Sequence, residues 1–204
     1  HRDLHSFPTR RSSDLMSRRV DAFDRQTSVI FGDGAGAALI ENQGQGVGPV
    51  GWSTQGSKGP MIFYGTHPSP QRFWAEDGQL HIRIDPDCSQ YLAMQGRQVF
   101  RDMVSTLPGR IEHELTLNSD RLEDFDYFVF HQANQRIVDL VADKMNLPLE
   151  KVVNNIDRVG NTSSASIPIV VSEMVASGKL QRGQRVLMVG FGAGYSVAVS
   201  SLRW

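Results

Sequence analysis

From Met16 onward the apolar positions fall into strand-like and helix-like periods. Ser28-Val-Ile-Phe-Gly-Asp-Gly-Ala-Gly-Ala-Ala-Leu-Ile40 reads as two apolar strands joined by a glycine-rich turn. Val186-Leu-Met-Val-Gly-Phe-Gly-Ala-Gly-Tyr-Ser-Val-Ala-Val199 repeats that plan near the far end, an internal echo that points to a duplicated architecture. Between them helix and strand alternate, which predicts a mixed sheet covered by helices. Leu92, Val99, Phe100, Met103 and Leu107 share one helical face, and Pro108 and Gly109 are expected to end that helix. Asp126 to Phe130 is a nearly continuous apolar run, as a strand buried on both faces requires. Asn134 can cap a helix that turns Ile137, Leu140, Val141 and Met145 inward and Arg136, Asp139 and Asp143 to water. Val152, Val153 and Ile156 predict another strand. Ile167, Val170, Val171, Met174 and Val175 line a further helix, with Pro168 tolerable in its first turn and Gly178 closing it.

Two stretches escape these periods. His1 to Leu15 has recurrent Ser and Arg, an interrupting Pro8 and no apolar stretch of the roughly 7 to 15 residues a signal peptide needs. It resembles translated sequencing-adaptor or assembly debris, with a disordered basic arm as the alternative, and no fold is expected of it. Gln43 to Gln79 is rich in Gly, Pro and Ser, which favours a binding loop or lid, with one short strand near Val47 to Thr54.

Composition narrows the classes. A chain of 204 residues with 40% hydrophobic content can fill one good core or two small ones. A formal charge of -1 gives no reason to expect nucleic acid or an acidic membrane surface. One cysteine excludes an internal disulfide, and no apolar run approaches the roughly 20 residues that span a bilayer. A cytoplasmic protein with no nucleic-acid and no membrane partner is the resulting expectation.

The candidate chemistry lies in Phe128-Val-Phe-His-Gln-Ala-Asn134 and in the segment Val152 to Ser166, which contains Gly160-Asn-Thr-Ser-Ser-Ala-Ser166. His131 and Asn161 are placed to bring two neutral hydrogen-bond donors to one spot. Such a pair suits a carbonyl oxygen that gathers negative charge during reaction, because preorganised dipoles stabilise it better than reorienting water does. Taken singly, a histidine after a strand is more often structural, and Asn161 after Gly160 is an ordinary turn residue. A nucleophile to accompany them is missing. Cys88 stands among carboxylates in Ile84-Asp-Pro-Asp-Cys-Ser-Gln90, and these raise rather than lower a thiol's pKa. Mass spectrometry after exposure to acyl-CoA is therefore expected to show no acyl adduct on Cys88. Gly32-Asp-Gly-Ala-Gly-Ala37 is not a dinucleotide fingerprint either, since Ala38-Leu-Ile starts a strand where a helix should open.

Phe31-Gly-Asp-Gly-Ala-Gly-Ala37, His131-Gln-Ala-Asn-Gln-Arg-Ile137, Gly160-Asn-Thr-Ser-Ser-Ala-Ser166 and Gly190-Phe-Gly-Ala-Gly194, in this order and spacing, resemble beta-ketoacyl-acyl-carrier-protein synthase III of the thiolase superfamily. The resemblance implies an α/β thiolase-like fold, mostly the C-terminal five-stranded mixed sheet with helices on both faces plus the last hairpin of the N-terminal half. Residues 1–15 would be an unstructured leader, 16–42 a remnant of the N-terminal half and 43–204 the C-terminal half. The implied reaction is a decarboxylating condensation of an acyl group from acyl-CoA with malonyl-acyl-carrier protein, initiating fatty acid synthesis. His131 and Asn161 match the donors to the enolate oxygen, Ala193 the acyl oxyanion hole, and Arg136 and Lys144 the carrier-protein contact. A neutral imidazole is the useful state, accessible at neutral pH from an ordinary pKa of about 6.5. No metal and no cofactor enters, and a homodimer is implied for the full-length protein. The half that would hold the nucleophilic cysteine is absent, so this chain alone is expected to be inactive in condensation. The alternatives are a non-catalytic thiolase-fold subunit and a CoA-dependent ketosynthase of the chalcone or hydroxymethylglutaryl-CoA synthase type.

Overall fold

A computed structural model describes residues 9–14, 16–40, 46–64, 72–76, 79–83 and 91–204. In chain order the elements are β1 (Thr9–Asp14), β2 (Gly34–Leu39), β3 (Val47–Thr54), β4 (Ile62–Tyr64), β5 (Arg72–Glu76), β6 (Gln79–Arg83), β7 (Leu92–Met94), α1 (Gly96–Leu117), β8 (Tyr127–Phe130), α2 (Gln135–Lys144), α3 (Ile156–Val159), α4 (Ser166–Ala176), β9 (Arg185–Gly192) and β10 (Ser196–Arg203). The fold is mixed α/β. Its central sheet runs β3-β10-β9-β8, with β8 and β9 parallel and the other pairs antiparallel.

Alternation along the strands sorts the core into two layers. Phe128 and Phe130 of β8 join Leu187 and Val189 of β9 and Val197 and Val199 of β10 under α1 and α2. Val129 and Val186 point the other way, onto Val170 and Met174 of α4. Helices thus cover both faces, and each fully buried large apolar side chain contributes about 1.5–3 kcal/mol. The short β8 is apolar throughout because neither of its faces meets water.

Among the described residues the sheet has four strands where five were expected. Val152 makes a single parallel bridge to Phe128, and Ile156 opens α3. Asn155 ends the pairing: its backbone N–H donates to the Gln132 side chain at 3.1 Å instead of extending the ladder.

The glycine-rich segment near the start also differs from expectation. Residues 28–30 form turns, Phe31 makes an isolated bridge to Asn161, and β2 pairs antiparallel with β1, inside the stretch expected to be unstructured. Its alternating glycines serve close packing, not a hairpin turn. A Cβ on Gly34 would stand 2.8 Å from Ile169 Cδ1, and one on Gly36 would stand 2.5 Å from Pro168 Cβ. Only a strand without side chains on that face can lie so near α4.

Helix α1 runs through Pro108 to Leu117, because Ile111 and Leu115 continue the buried stripe begun by Val99, Met103, Val104 and Leu107. Proline has no N–H to give the Val104 carbonyl four residues back. Lys144 at the end of α2 supplies the donor, its Nζ reaching Val104 O at 3.3 Å. Lys144→Met keeps the aliphatic stem but orphans that acceptor, which costs about 1–3 kcal/mol. In thermal or urea denaturation, Lys144→Met should be less stable than Arg136→Met, whose side chain is exposed. Equal stabilities would refute this role for Lys144.

Helix α2 begins as expected, with Asn134 Oδ1 accepting the Arg136 N–H at 2.9 Å. Its buried stripe is Ile137, Val138, Val141 and Ala142, whereas Leu140, expected inside, is 41% exposed. Strand β3 occupies Val47–Thr54 as anticipated. Among the described residues no helix is long and apolar enough to cross a membrane.

Candidate active site

His131 is the first residue beyond β8, and its backbone N–H still donates to Val189 O at 2.7 Å. The parallel ladder therefore fixes where the imidazole leaves the sheet. The ring stands edge-on to Phe191 of the adjacent strand, centroids 5.3 Å apart at 74°. Its Nδ1 lies 2.7 Å from Ser166 Oγ, at the start of α4. The neighbouring Gln132 is wholly buried, donating to Phe130 O at 2.8 Å and accepting from Asn155 N at 3.1 Å. Strand end, the loop before α3 and α4 are thus tied together beneath the histidine.

Asn161 is positioned by the N-terminal segment. Its N–H donates to Ile30 O at 3.0 Å and its carbonyl accepts from Gly32 N at 2.9 Å. Its side-chain Oδ1 accepts the Ser163 N–H at 2.9 Å, so the amide group that can donate to a ligand is the Nδ2 amine. Gly32 has no room for a side chain, since a Cβ there would stand 2.1 Å from Val159 O. The Phe31-Gly-Asp-Gly motif is therefore a brace for the asparagine loop.

His131, Asn161 and Ala193 line one cavity of about 670 Å³, together with Phe191, Gly192, Ser163, Ser166 and the apolar Ile30, Phe31, Val99, Phe100 and Ile137. Among the described residues, no charged side chain lines it. Such a space admits an apolar or neutral group and lets hydrogen bonds to a developing charge act in a low dielectric.

Ala193 sits in the turn between β9 and β10, where Gly194 and Tyr195 both have positive φ, +77° and +52°. Tyr195 is the costlier of the two, since a side chain disfavours that region. Contacts from afar hold the turn: Thr54 Oγ1 donates to Gly194 O at 2.8 Å, and Tyr195 OH donates to Asp102 Oδ2 at 3.5 Å. Asp102 is in turn paired with Lys58 at 2.9 Å. Burial first, and then the Asp102 charge, push the Tyr195 hydroxyl up to about 12. The folded chain holds this proton more tightly than the unfolded one, so the contribution is whole below about pH 10 and is lost as pH rises towards 12. Tyr195→Phe should remove that alkaline loss from the stability profile; a profile parallel to wild type would contradict the assignment.

Of the residues singled out from sequence, the fold brings His131, Asn161 and Ala193 together and sets Arg136 and Lys144 apart on α2, Arg136 exposed and Lys144 engaged with α1. Cys88 lies outside the described residues. Ser166, Phe191 and the Ile30–Gly32 brace escaped the sequence reading. Their only local signals were a hydroxyl at a helix start and glycines at every second position.

Family models for 3-oxoacyl-[acyl-carrier-protein] synthase III match residues 12–59, and those for its C-terminal region match residues 115–204. These two segments hold the brace, His131, Asn161 and Ala193. The chain belongs to the 3-oxoacyl-[acyl-carrier-protein] synthase III family. The synthase III of Synechocystis sp. is 38% identical over 192 residues, covering 94% of this chain and 57% of that protein. That of Methylococcus capsulatus is also 38% identical, covering 94% and 56%. The synthase III crystal structure from Thermus thermophilus superposes with a TM-score of 0.79 at 31% identity over 96% of this chain and 58% of its own. The priming beta-ketosynthase of the R1128 polyketide pathway gives 0.76 at 31%, covering 96% and 56%. The chain thus spans little more than half the length of the synthase III relatives it matches. Over that span it has their thiolase-like fold.

Proposed function

We propose that this chain carries the enolate-forming half of a condensing acyltransferase that joins an acyl group from acyl-CoA to malonyl-acyl-carrier protein. The observation that carries the reading is the convergence of His131 and Asn161 on one cavity beside the Ala193 turn. In the proposed step the bond between the malonyl Cα and its carboxylate breaks and carbon dioxide leaves. The electron pair moves onto the thioester oxygen, where the His131 imidazole N–H and the Asn161 Nδ2–H donate to the enolate. The enolate carbon then attacks an acyl thioester, whose oxygen takes a backbone N–H of the Ala193 turn, and a cysteine thiolate departs. That cysteine is assigned to sequence beyond this chain, since Cys88 stands among carboxylates in the sequence and the match covers only 57% of a relative's length. Arg136 is assigned to carrier-protein docking, its guanidinium being exposed at the first turn of α2. Lys144, bound to Val104 O, is the weaker candidate for that contact.

Decarboxylation needs the two donors but no nucleophile, so it can be tested on the chain alone. Incubation with malonyl-CoA should produce acetyl-CoA above the buffer rate, read by mass spectrometry, and no condensation product. Production at the buffer rate would overturn the catalytic reading in favour of a non-catalytic thiolase-fold subunit. The genomic reading frame upstream of Met16 tests the other part: a cysteine-bearing first half in frame supports it, and a start codon there contradicts it.

A further inference from the structure

The two donors differ in how their polarity is fixed. Asn161 presents Nδ2 because Oδ1 is occupied, but a neutral imidazole can carry its proton on either nitrogen. Only the form protonated at Nε2 can donate from that atom. We infer that Ser166 is a positioning residue that selects this form by donating its hydroxyl proton to His131 Nδ1. The inference rests on the enolate reading and names what prepares its histidine.

Two groups hydrogen-bond to Ser166 Oγ: His131 Nδ1 at 2.7 Å and the backbone N–H of Gln132 at 3.3 Å. The Gln132 N–H is necessarily a donor, so it takes one lone pair of the oxygen. Were Nδ1 also protonated, Oγ would receive two donors and its own proton would have no acceptor. Ser166 is 1% exposed, so water does not supply one. A buried hydroxyl left without an acceptor is the arrangement that native structures avoid. The consistent assignment runs in one direction: Gln132 N–H donates to Oγ, Oγ–H donates to Nδ1, and the proton of the ring stays on Nε2.

The geometry that enforces this is rigid. Gln132 is pinned by its side chain to Phe130 and Asn155, and Ser166 is fixed at the first residue of α4. Phe191 stands against the ring and limits its rotation. The serine therefore acts through the histidine and need not touch a substrate.

Nitrogen NMR of the imidazoles tests this without substrate, at about pH 8.5, where an imidazole of ordinary pKa is neutral. The His131 signals are identified by their loss in His131→Ala. The wild-type ring should show a protonated Nε2 and an unprotonated Nδ1 shifted by an accepted hydrogen bond. In Ser166→Ala the Nδ1 signal should move to that of an unbonded ring nitrogen, and Ser166→Thr, which keeps the hydroxyl, should restore it. A protonated Nδ1 in the wild type, or an Nδ1 signal unmoved in a folded Ser166→Ala, would overturn the inference. The wild-type spectrum alone decides the case if the alanine variant does not fold. Because no malonyl thioester is present, these signals stand or fall independently of decarboxylation. Absent decarboxylation with the expected spectrum defeats only the proposed reaction.

Discussion

His131→Ala should lower malonyl-CoA decarboxylation by about a hundredfold to a thousandfold, with Asn161→Ala close behind. Removal of one preorganised donor to a developing oxyanion typically has that effect, because the lost hydrogen bond is strongest when the charge is greatest. Here the environment supports the upper part of the range. Among the described residues lining the cavity that holds both side chains, none is a charged group that could substitute. His131→Gln is the informative partner variant, since it keeps a neutral donor in nearly the same place and should recover part of the rate. The double variant should lose little more than either single one, because both donors serve one oxygen and their effects do not add. The measurement is acetyl-CoA formed per unit time at saturating malonyl-CoA. Rates for both alanine variants within a factor of two or so of wild type would place the chemistry elsewhere.

Gly32→Ala should damage the site from outside it. A methyl group there would meet Val159 O at 2.1 Å, a backbone atom that cannot swing aside as the end of a flexible side chain can. Either β2 or the loop carrying Asn161 must move, and the hydrogen bond from Gly32 N to Asn161 O, 2.9 Å in the native chain, is strained with it. Overpacking of this kind costs about 1–3 kcal/mol. For a chain of this size each of those lowers the melting midpoint by about 2–4 °C. Decarboxylation should fall as well, although residue 32 touches no substrate in the proposed step. Gly59→Ala is the control, because a Cβ there meets nothing within 4 Å. Indistinguishable melting of the two variants would mean that the brace yields without resistance.

Some of these features were legible in the linear sequence, and others had a signal whose meaning depended on a distant partner. The alternating glycines from 32 to 36 signal a Cβ-free face, but a local reading takes them for a turn. What decides between the two is α4, more than 130 residues away, lying against that face. Pro108 signals a helix end by local rules. Burial of Ile111 and Leu115, together with a lysine from another helix, outweighs its missing N–H. The apolar run at Val152 to Ile156 looked like a strand because composition does not report that Gln132 captures the Asn155 amide. Leu140 was misplaced for the opposite reason: helical period fixes a stripe's width but not its edges, and the stripe is set by what α1 covers.

The amino-acid order by itself determined the alternation of helices and strands, the mixed α/β class, the β9–β10 hairpin, the cap on α2, and the residues able to donate to an oxyanion. These are short-range properties, set by side-chain period, turn chemistry and functional groups within a few residues. Tertiary structure alone decided that His131 and Asn161, 30 positions apart, open into one cavity, that the glycine strand braces the second of them, and that a buried serine faces the imidazole of the first. Those outcomes follow from strand pairing and close packing between segments far apart in the chain, where the cost of one atom too many is felt only once the partner is in place.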